Sequence, residues 1–245
     1  IIIGGGPTGD ELAGSIAELA YKNIKNEYRN FNSNEINVYL VEAGPAILSD
    51  YSKDLSVKAS KYLQKLGVSI RLNEKVLNIE DKKVITDKEI FQSNNIIWAA
   101  GNKANPLIDK LKTNVDNFGR AIVNKDFSIN ENNSIYVIGD AANYKNNDGK
   151  TLAGIAPVAI QQGKYLAKKL TSPKPTENMK NFKYKDKGMM ATIGGFKAIG
   201  VIGSLQISGL VAWLFWSLIH LVYLIGYKSK LIVLIEWIFA YFLNK

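Results

Sequence analysis

Three glycines, Gly4, Gly6 and Gly9, stand in the spacing G-x-G-x-x-G within IIIGGGPTGDELAG. Such a turn can hold a pyrophosphate. Gly4 permits a tight turn after a buried strand at Ile1–Ile3. Gly6 lets the backbone approach the phosphates, and Gly9 lets the next helix pack close to the strand. The anion would sit at the helix N-terminus, where unpaired N–H groups and the dipole favour negative charge. Glu42 completes the set. It ends the apolar run Val38–Val41, and an acid there bonds the ribose hydroxyls in this kind of unit. It would also repel the extra phosphate of NADP, and no Arg follows before Lys53. The pattern therefore points to NAD(H) rather than NADP(H). A glycine-rich turn without a ligand and an ordinary strand-end carboxylate are the plain alternatives. Gly9 to Glu42 exceeds the usual spacing of about 20, and the polar stretch Lys22–Glu35 can absorb the excess.

These residues need a β-α-β frame. Leu12, Ala13, Ile16, Ala17, Leu19 and Ala20 recur at helical spacing. A second helix is expected over Ser52–Leu66, ended by Gly67, then a parallel strand at Val68–Leu72. Short alternating pieces at Val76–Ile79, Val84–Thr86 and Glu89–Phe91 suggest an antiparallel excursion. Ile96–Ala99 reads as a buried strand closing at Gly101. A second organisation begins near Asn105. Gly119–Ile129 reads as a strand with flanking turns. Ile135–Ile138 reads as a buried strand with Gly139 and Asp140 at its carboxyl end, where α/β folds place ligands. Ala156–Leu170 reads as a helix with Pro157 in its first turn, and Thr171–Lys187, with Pro173 and Pro175, as a linker.

Composition narrows the chemistry. With 47% hydrophobic and 22% charged residues, the 245-residue chain is a folded globule. Its net charge of +9 comes mostly from Lys, with no zinc spacing or Arg-rich helix, so nucleic acid is not the expected partner. It has no cysteine and one histidine, which excludes thiol chemistry and argues against a multi-His metal site. The chemistry must come from a bound cofactor. Ile1–Ile3 run straight into the glycine turn, so no signal peptide is read.

Residues 205–225, LQISGLVAWLFWSLIHLVYLI, are long enough as a helix to span a membrane. Their polar positions favour an interface instead. At ~100° per residue, Gln206, Ser217 and His220 fall within about 60° of one another, with Trp213 on the same stripe. Leu231–Leu243 is about 20 Å as a helix, short of a ~30 Å hydrocarbon core. Leu231, Ile232, Ile235, Ile238, Phe239 and Phe242 share one half of its wheel; Glu236, Trp237, Tyr241 and Asn244 share the other. That is the pattern of a helix lying in an interface. Lys228 and Lys230 separate the two segments, and Lys180, Lys183, Lys185, Lys187 and Lys197 suit anionic headgroups. Spanning the membrane and packing on protein are the alternatives.

In this order the motifs resemble the type II NADH dehydrogenase family, the single-subunit NADH:quinone oxidoreductases. The resemblance rests on IIIGGGPTGDELAG, VYLVEAGPAIL, IIWAAGNKANPL, IYVIGDAA, LAGIAPVAIQQG and FKYKDKGMMATIGG followed by the aromatic tail, collinear over nearly the whole chain. It implies an α/β, two-dinucleotide-binding-domain flavoprotein of Rossmann-like type with a C-terminal amphipathic helical membrane anchor. The expected domains are 1–104 for NADH, 105–170 as the C-terminal part of the FAD domain, and 171–245 as linker and anchoring helices. In the family FAD is bound by an earlier glycine loop. The loop at Gly4–Gly9 resembles the second one, so the chain is expected to be an N-terminally truncated fragment that binds FAD poorly.

The resemblance implies hydride transfer from NADH to FAD and then reduction of a membrane quinone, without proton pumping. The protein would lie peripherally on anionic lipid at the cytoplasmic face of the bacterial inner membrane. A homodimer is left open. By the same resemblance Gly4, Gly6 and Gly9 line the NADH pyrophosphate, Glu42 takes the ribose, and Gly101 joins the cofactor-binding glycines. Gly139 and Asp140 match the FAD motif, with Asp140 accepting from a ribityl hydroxyl. Glu11 would lie near the nicotinamide end, although a first-turn carboxylate also suits the helix dipole. Asp10 stands where an apolar residue is expected. Gln161 and Gln162 match the quinone-pocket helix, since glutamine can donate to a quinone carbonyl without changing charge. Lys187 would approach flavin or quinone, or else a headgroup. The competing readings are a noncatalytic membrane-bound NADH-binding module and another FAD-dependent pyridine nucleotide oxidoreductase, such as a soluble disulfide reductase, which the apolar tail disfavours.

Overall fold

The computed structural model describes residues 1–23, 35–172 and 181–239. Pro173, Pro175 and Lys180 of the linker, Tyr241, Phe242 and Asn244 of the last helix, and most of the polar stretch before Glu35 lie outside the described residues. The chain divides into two compact units, Ile1–Ala100 with Lys187–Lys245, and Gly101–Asp186.

The first unit opens with β1 (Ile2–Ile3), α1 (Pro7–Glu18), β2 (Val38–Val41), α2 (Lys53–Lys65) and β3 (Val68–Arg71). An antiparallel meander follows, β4 (Val76–Glu80), β5 (Lys83–Thr86) and β6 (Ile90–Gln92), and β7 (Ile97–Trp98) completes a parallel sheet of order β3-β2-β1-β7. Parallel neighbours need crossovers, and α1 and α2 supply them. Alternate residues face opposite layers. Ile2, Val38 and Leu40 pack with Ala13, Ala17, Leu55 and Leu63 of the helices. Ile3, Tyr39 and Val41 pack with Val84 and Phe91 of the meander. Both faces are covered, so these strands read as apolar throughout. The last strand departs from its expected burial. β7 is the sheet edge, and Trp98 is 59% exposed.

The second unit begins with a short 3-10 turn, Pro106–Leu111, capped by the Asn105 side chain. Gly119–Ile129 does not form one strand. It gives β8 (Ala121–Ile122) and β9 (Ser128–Ile129), with Phe127 at φ 71° between them. β10 (Asn132–Tyr136) pairs antiparallel with β9 and is exposed at its start. Ile135–Ile138 is therefore only in part the buried strand expected: β10 ends at Tyr136, and of the four residues Val137 alone is buried. β11 (Ala142–Asn143) pairs parallel with β8. α3 (Ala156–Thr171) closes the unit. Phe127, Tyr144, Tyr165 and Phe182 form its aromatic core, with centroids 4.9–5.6 Å apart. Lys169 of α3 pairs with Asp126 at 2.5 Å.

The chain then returns to the first unit as an antiparallel sheet of β12 (Met189–Gly194), β13 (Lys197–Ile202) and β14 (Leu205–Gly209). This sheet packs on α1. A Cβ at Gly14 would stand 2.1 Å from the Ile193 carbonyl oxygen, so glycine sets the closeness of approach. α4 (Leu210–Tyr223) and α5 (Tyr227–Ile238) end the described fold.

The apolar run 205–225 is not one helix. Its first five residues are β14, and the break comes at Gly209, φ 77°. Gln206 therefore lies on a strand, accepting from Ser52 Oγ at 2.7 Å, and the four-residue polar stripe does not form. Trp213 is buried against Phe196 and Ala198. Lys228 and Lys230 do not separate the helices. They sit inside α5, and Gly226 makes the turn. No helix among the described residues is long and apolar enough to cross a membrane.

Candidate nucleotide-binding site

The glycine turn leaves β1 where Gly4 N–H donates to Val41 O at 2.8 Å. Gly4 has φ 109°, and a Cβ there would lie 2.8 Å from the Ala100 backbone. A Cβ at Gly9 would lie 1.8 Å from Gly4 O, so strand and helix touch through the two glycines. At Gly6 a Cβ would meet nothing within 4 Å. Among the described residues Gly6 thus serves no packing need and leaves clear space in front of α1. Gly6 is the N-cap, Pro7 begins the helix, and no side chain caps its first turn. These features fit a pyrophosphate at a helix N-terminus.

Glu42 closes the turn from the end of β2. Its Oε2 accepts from Gly5 N–H and its Oε1 from Gly44 N–H, both at 2.6 Å. A carboxylate oxygen has a second lone pair, so the ribose hydroxyls can be received while the loop stays tied. The arginine nearest in the sheet, Arg71, ends the adjacent strand. Its guanidinium turns toward the Tyr39 and Phe91 rings and Glu89, on the meander side.

Glu11 projects from the first turn of α1 to the returning sheet, where its Oε1 accepts from Thr192 N–H at 3.3 Å. Burial raises its pKa; Thr192 and the charge of His220 on α4 oppose this. His220 lies tilted against Trp216, 3.9 Å between centroids, and Trp216 stacks on Trp237. Lys187 Nζ donates to Tyr223 OH at 3.0 Å, at the end of α4.

In the second unit Gly139 and Asp140 form a short turn. Gln162, almost wholly buried, accepts from Gly139 N–H at 2.7 Å and holds this turn against α3. The Asp140 carboxyl is exposed, with Gly154 so close that a Cβ there would stand 3.3 Å from Oδ1. This leaves an acceptor open to a hydroxyl at the turn, which fits the ribityl chain of FAD. Gln161 is engaged differently. Its Oε1 accepts from Lys185 N–H and its Nε2 donates to Lys185 O, both at 3.0 Å. Gly101, φ 64°, is exposed with nothing near its Cα hydrogen face.

The structure thus brings Gly4, Gly6, Gly9 and Glu42 together, with Glu11 behind them. It brings Gly139, Asp140 and Gln162 together within the other unit. Sequence reasoning missed Gly5 as the partner of Glu42, Thr192 as the partner of Glu11, and Lys185 as the partner of Gln161. It registered Asp10 only as a misplaced polar residue, and that was the available signal.

The sequence profile described as pyridine nucleotide-disulphide oxidoreductase matches residues 1–163. The type II NADH:quinone oxidoreductase Ndh of Mycobacterium tuberculosis is 37% identical over 96% of this chain and 52% of its own length. NdhA of the same organism, also named a type II NADH:quinone oxidoreductase, is 32% identical over 97% of this chain and 52% of its own. The chain spans about half the length of the curated relatives it matches. NDH2 from Plasmodium falciparum, solved in complex with NADH, superposes with TM-score 0.89 over 98% of this chain and 65% of its own. At 18% identity that match speaks for the fold alone.

Proposed function

Since the chain belongs to the pyridine nucleotide-disulphide oxidoreductase family, we propose that it serves an NADH:quinone oxidoreductase that is FAD-dependent and does not pump protons. Residues 1–104 hold NADH, residues 105–170 contribute to FAD binding, and residues 171–245 link to and form a membrane-surface anchor. The observation that carries the nucleotide half is the Glu42–Gly5 bond beside the clear space at Gly6. The quinone half is supported by the names of the relatives at 37% and 32% identity. It is also supported by the exposed apolar faces of α4 and α5, which suit a lipid-soluble acceptor.

In this reading Gly4 and Gly9 fix the turn, Gly6 admits the pyrophosphate, and Glu42 orients the adenosine ribose and disfavours a 2′-phosphate. Gly101 lies in the segment that passes from the NADH residues to the FAD residues. Gly139 and Asp140 receive the ribityl chain, and Gln162 holds their turn. When bound, the flavin supplies the two-electron chemistry between NADH and quinone. Gln161 and Lys187 set the segment before the anchor on the quinone side, and Glu11 stands at the nicotinamide end. The family description includes disulphide chemistry, but this chain has no cysteine of its own to offer. Lipid at the cytoplasmic face of the membrane is the proposed surface.

The test is titration of the chain with NADH and NADPH, followed by NADH-driven reduction of a short-chain quinone by the chain extended to the full length of its relatives, with FAD supplied. Selective NADH binding and NADH-dependent quinol formation are expected. Equal affinity for the two nucleotides, or electron transfer to a disulfide but not to quinone, would overturn the reading.

A further inference from the structure

The proposed function leaves Asp10 unused. This residue is wholly excluded from solvent, and both its carboxyl oxygens lack a hydrogen-bond partner among the described residues. It lies on the face of α1 that carries Ala13, Gly14 and Ala17 into the core. A charged carboxylate there would be uncompensated. The next residue has different surroundings. Glu11 accepts the Thr192 N–H, and it feels the charge of His220. Two carboxyl groups one residue apart thus stand in unequal settings, one with a donor and one without. Such a pair resists holding two charges.

We propose that Asp10, buried without a partner, is held neutral, and that Glu11, its neighbour on α1, is the ionised member of the two, held on Thr192. The groups near the pair are Tyr51 from the loop before α2, Thr192 from β12 and His220 from α4. Burial and the carboxyl charges of Glu11, Asp10 and Asp50 push the Tyr51 hydroxyl up, so Tyr51 stays neutral and offers no competing charge. Burial, with repulsion from Glu11, pushes Asp10 up to about 8. The pair bears on the redox reading in one respect, which rests on that reading. Reduction of quinone by NADH takes up one proton beyond the hydride: NADH, H⁺ and quinone give NAD⁺ and quinol. Asp10, by staying neutral, sets the pH range in which Glu11 can accept that proton.

Infrared titration of the 245-residue chain tests this without nucleotide, flavin or quinone. The carbonyl band of a protonated carboxylic acid should persist at neutral pH and vanish above about pH 8. It should be absent from Asp10→Asn and from Asp10→Val, the second variant guarding against a folding failure of the first. It should remain in Glu11→Gln, with its midpoint moved to lower pH because the neighbouring charge is gone. A band that survives both Asp10 variants and disappears in Glu11→Gln puts the proton on Glu11 and overturns the proposal. So does the absence of any such band at neutral pH. NADH affinity measured on the same variants reads the redox proposal separately.

Discussion

Glu42 Oε2 receives the Gly5 N–H at 2.6 Å while Oε1 receives the Gly44 N–H at the same distance. One carboxylate therefore staples the glycine turn to the end of β2 before any ligand arrives. Hydrogen bonds to a charged group are worth about 1.5–3 kcal/mol each. Glu42→Ala is expected to lower unfolding stability by about 3–6 kcal/mol, the sum for two such bonds, and to weaken NADH binding about tenfold, ~1.4 kcal/mol. Glu42→Gln keeps one acceptor oxygen, sets an NH2 donor against the other backbone N–H and loses the charge, so it should cost part of the same stability and reduce the preference for NADH over NADPH. Denaturant unfolding and paired nucleotide titrations measure both. An unchanged NADH-to-NADPH ratio in Glu42→Gln would count against the role given to the charge.

Gly6 and Gly9 should respond in opposite ways to one methyl group. At Gly9 the added Cβ meets Gly4 O at 1.8 Å, and strand and helix must part. Gly9→Ala is expected to cost more than about 3 kcal/mol of stability, beyond the usual range for point changes. At Gly6 the backbone has φ −77° and the Cβ meets nothing. Gly6→Ala should leave stability within about 1 kcal/mol and still lose NADH affinity, since its methyl occupies the space meant for phosphate. Thermal melts beside NADH titrations separate the two. Equal melting points with equal affinities would remove the phosphate reading of the turn.

The glycine turn, Glu42 and the β-α-β frame were legible because their signals are local. Spacing within nine residues and strand-like alternation suffice to read them. The break at Gly209 was not legible. LQISG is apolar enough to extend a helical stripe, and only pairing of β14 with β13 makes it a strand. The sequence pattern accordingly puts Gln206 and His220 on one helical face, which the strand at Gln206 denies them. Gln161 meets Lys185 across a separation of 24 residues, and Thr192 meets Glu11 across 181. Such pairings are set by tertiary packing and leave no local pattern. Asp10 lies between these cases. Its misfit was visible in the sequence, but its isolation becomes visible only when α1 is packed.

Asp10 gives the fold a pH dependence of definite sign. Its folded pKa, about 8, lies above the ordinary 3.8. The unfolded chain therefore releases the proton first as pH rises. Stability is fully present below about pH 4 and falls until about pH 8, after which this residue contributes no further slope. The full span corresponds to a loss on the order of 6 kcal/mol. Asp10→Val should remove the slope and be the more stable protein at pH 8, with the gap narrowing toward pH 4. Urea unfolding at a series of pH values measures this, and parallel curves for the two proteins would refute it.

The apolar surface of the last two helices predicts where the protein goes in the presence of lipid. Leu214, Leu218 and Val222 lie at successive turns of α4 and are 52–59% exposed. Ile232, Ile235 and Ile238 are exposed on α5. Cations stand at the junction of the helices. Lys187 is held on Tyr223, and Lys230 Nζ donates to Val222 O at 2.8 Å. A helix of the length of α4 is about 21 Å long, so it suits the plane of an interface better than a path across it. Vesicles containing anionic lipid should therefore carry the chain upward in flotation, and added salt should weaken the association. Burying a leucine contributes about 1.5–3 kcal/mol. Leu214→Asp with Leu218→Asp should reduce partitioning at least about 100-fold while NADH binding persists. Flotation of the double variant as strong as that of the parent would assign the apolar face to something other than lipid.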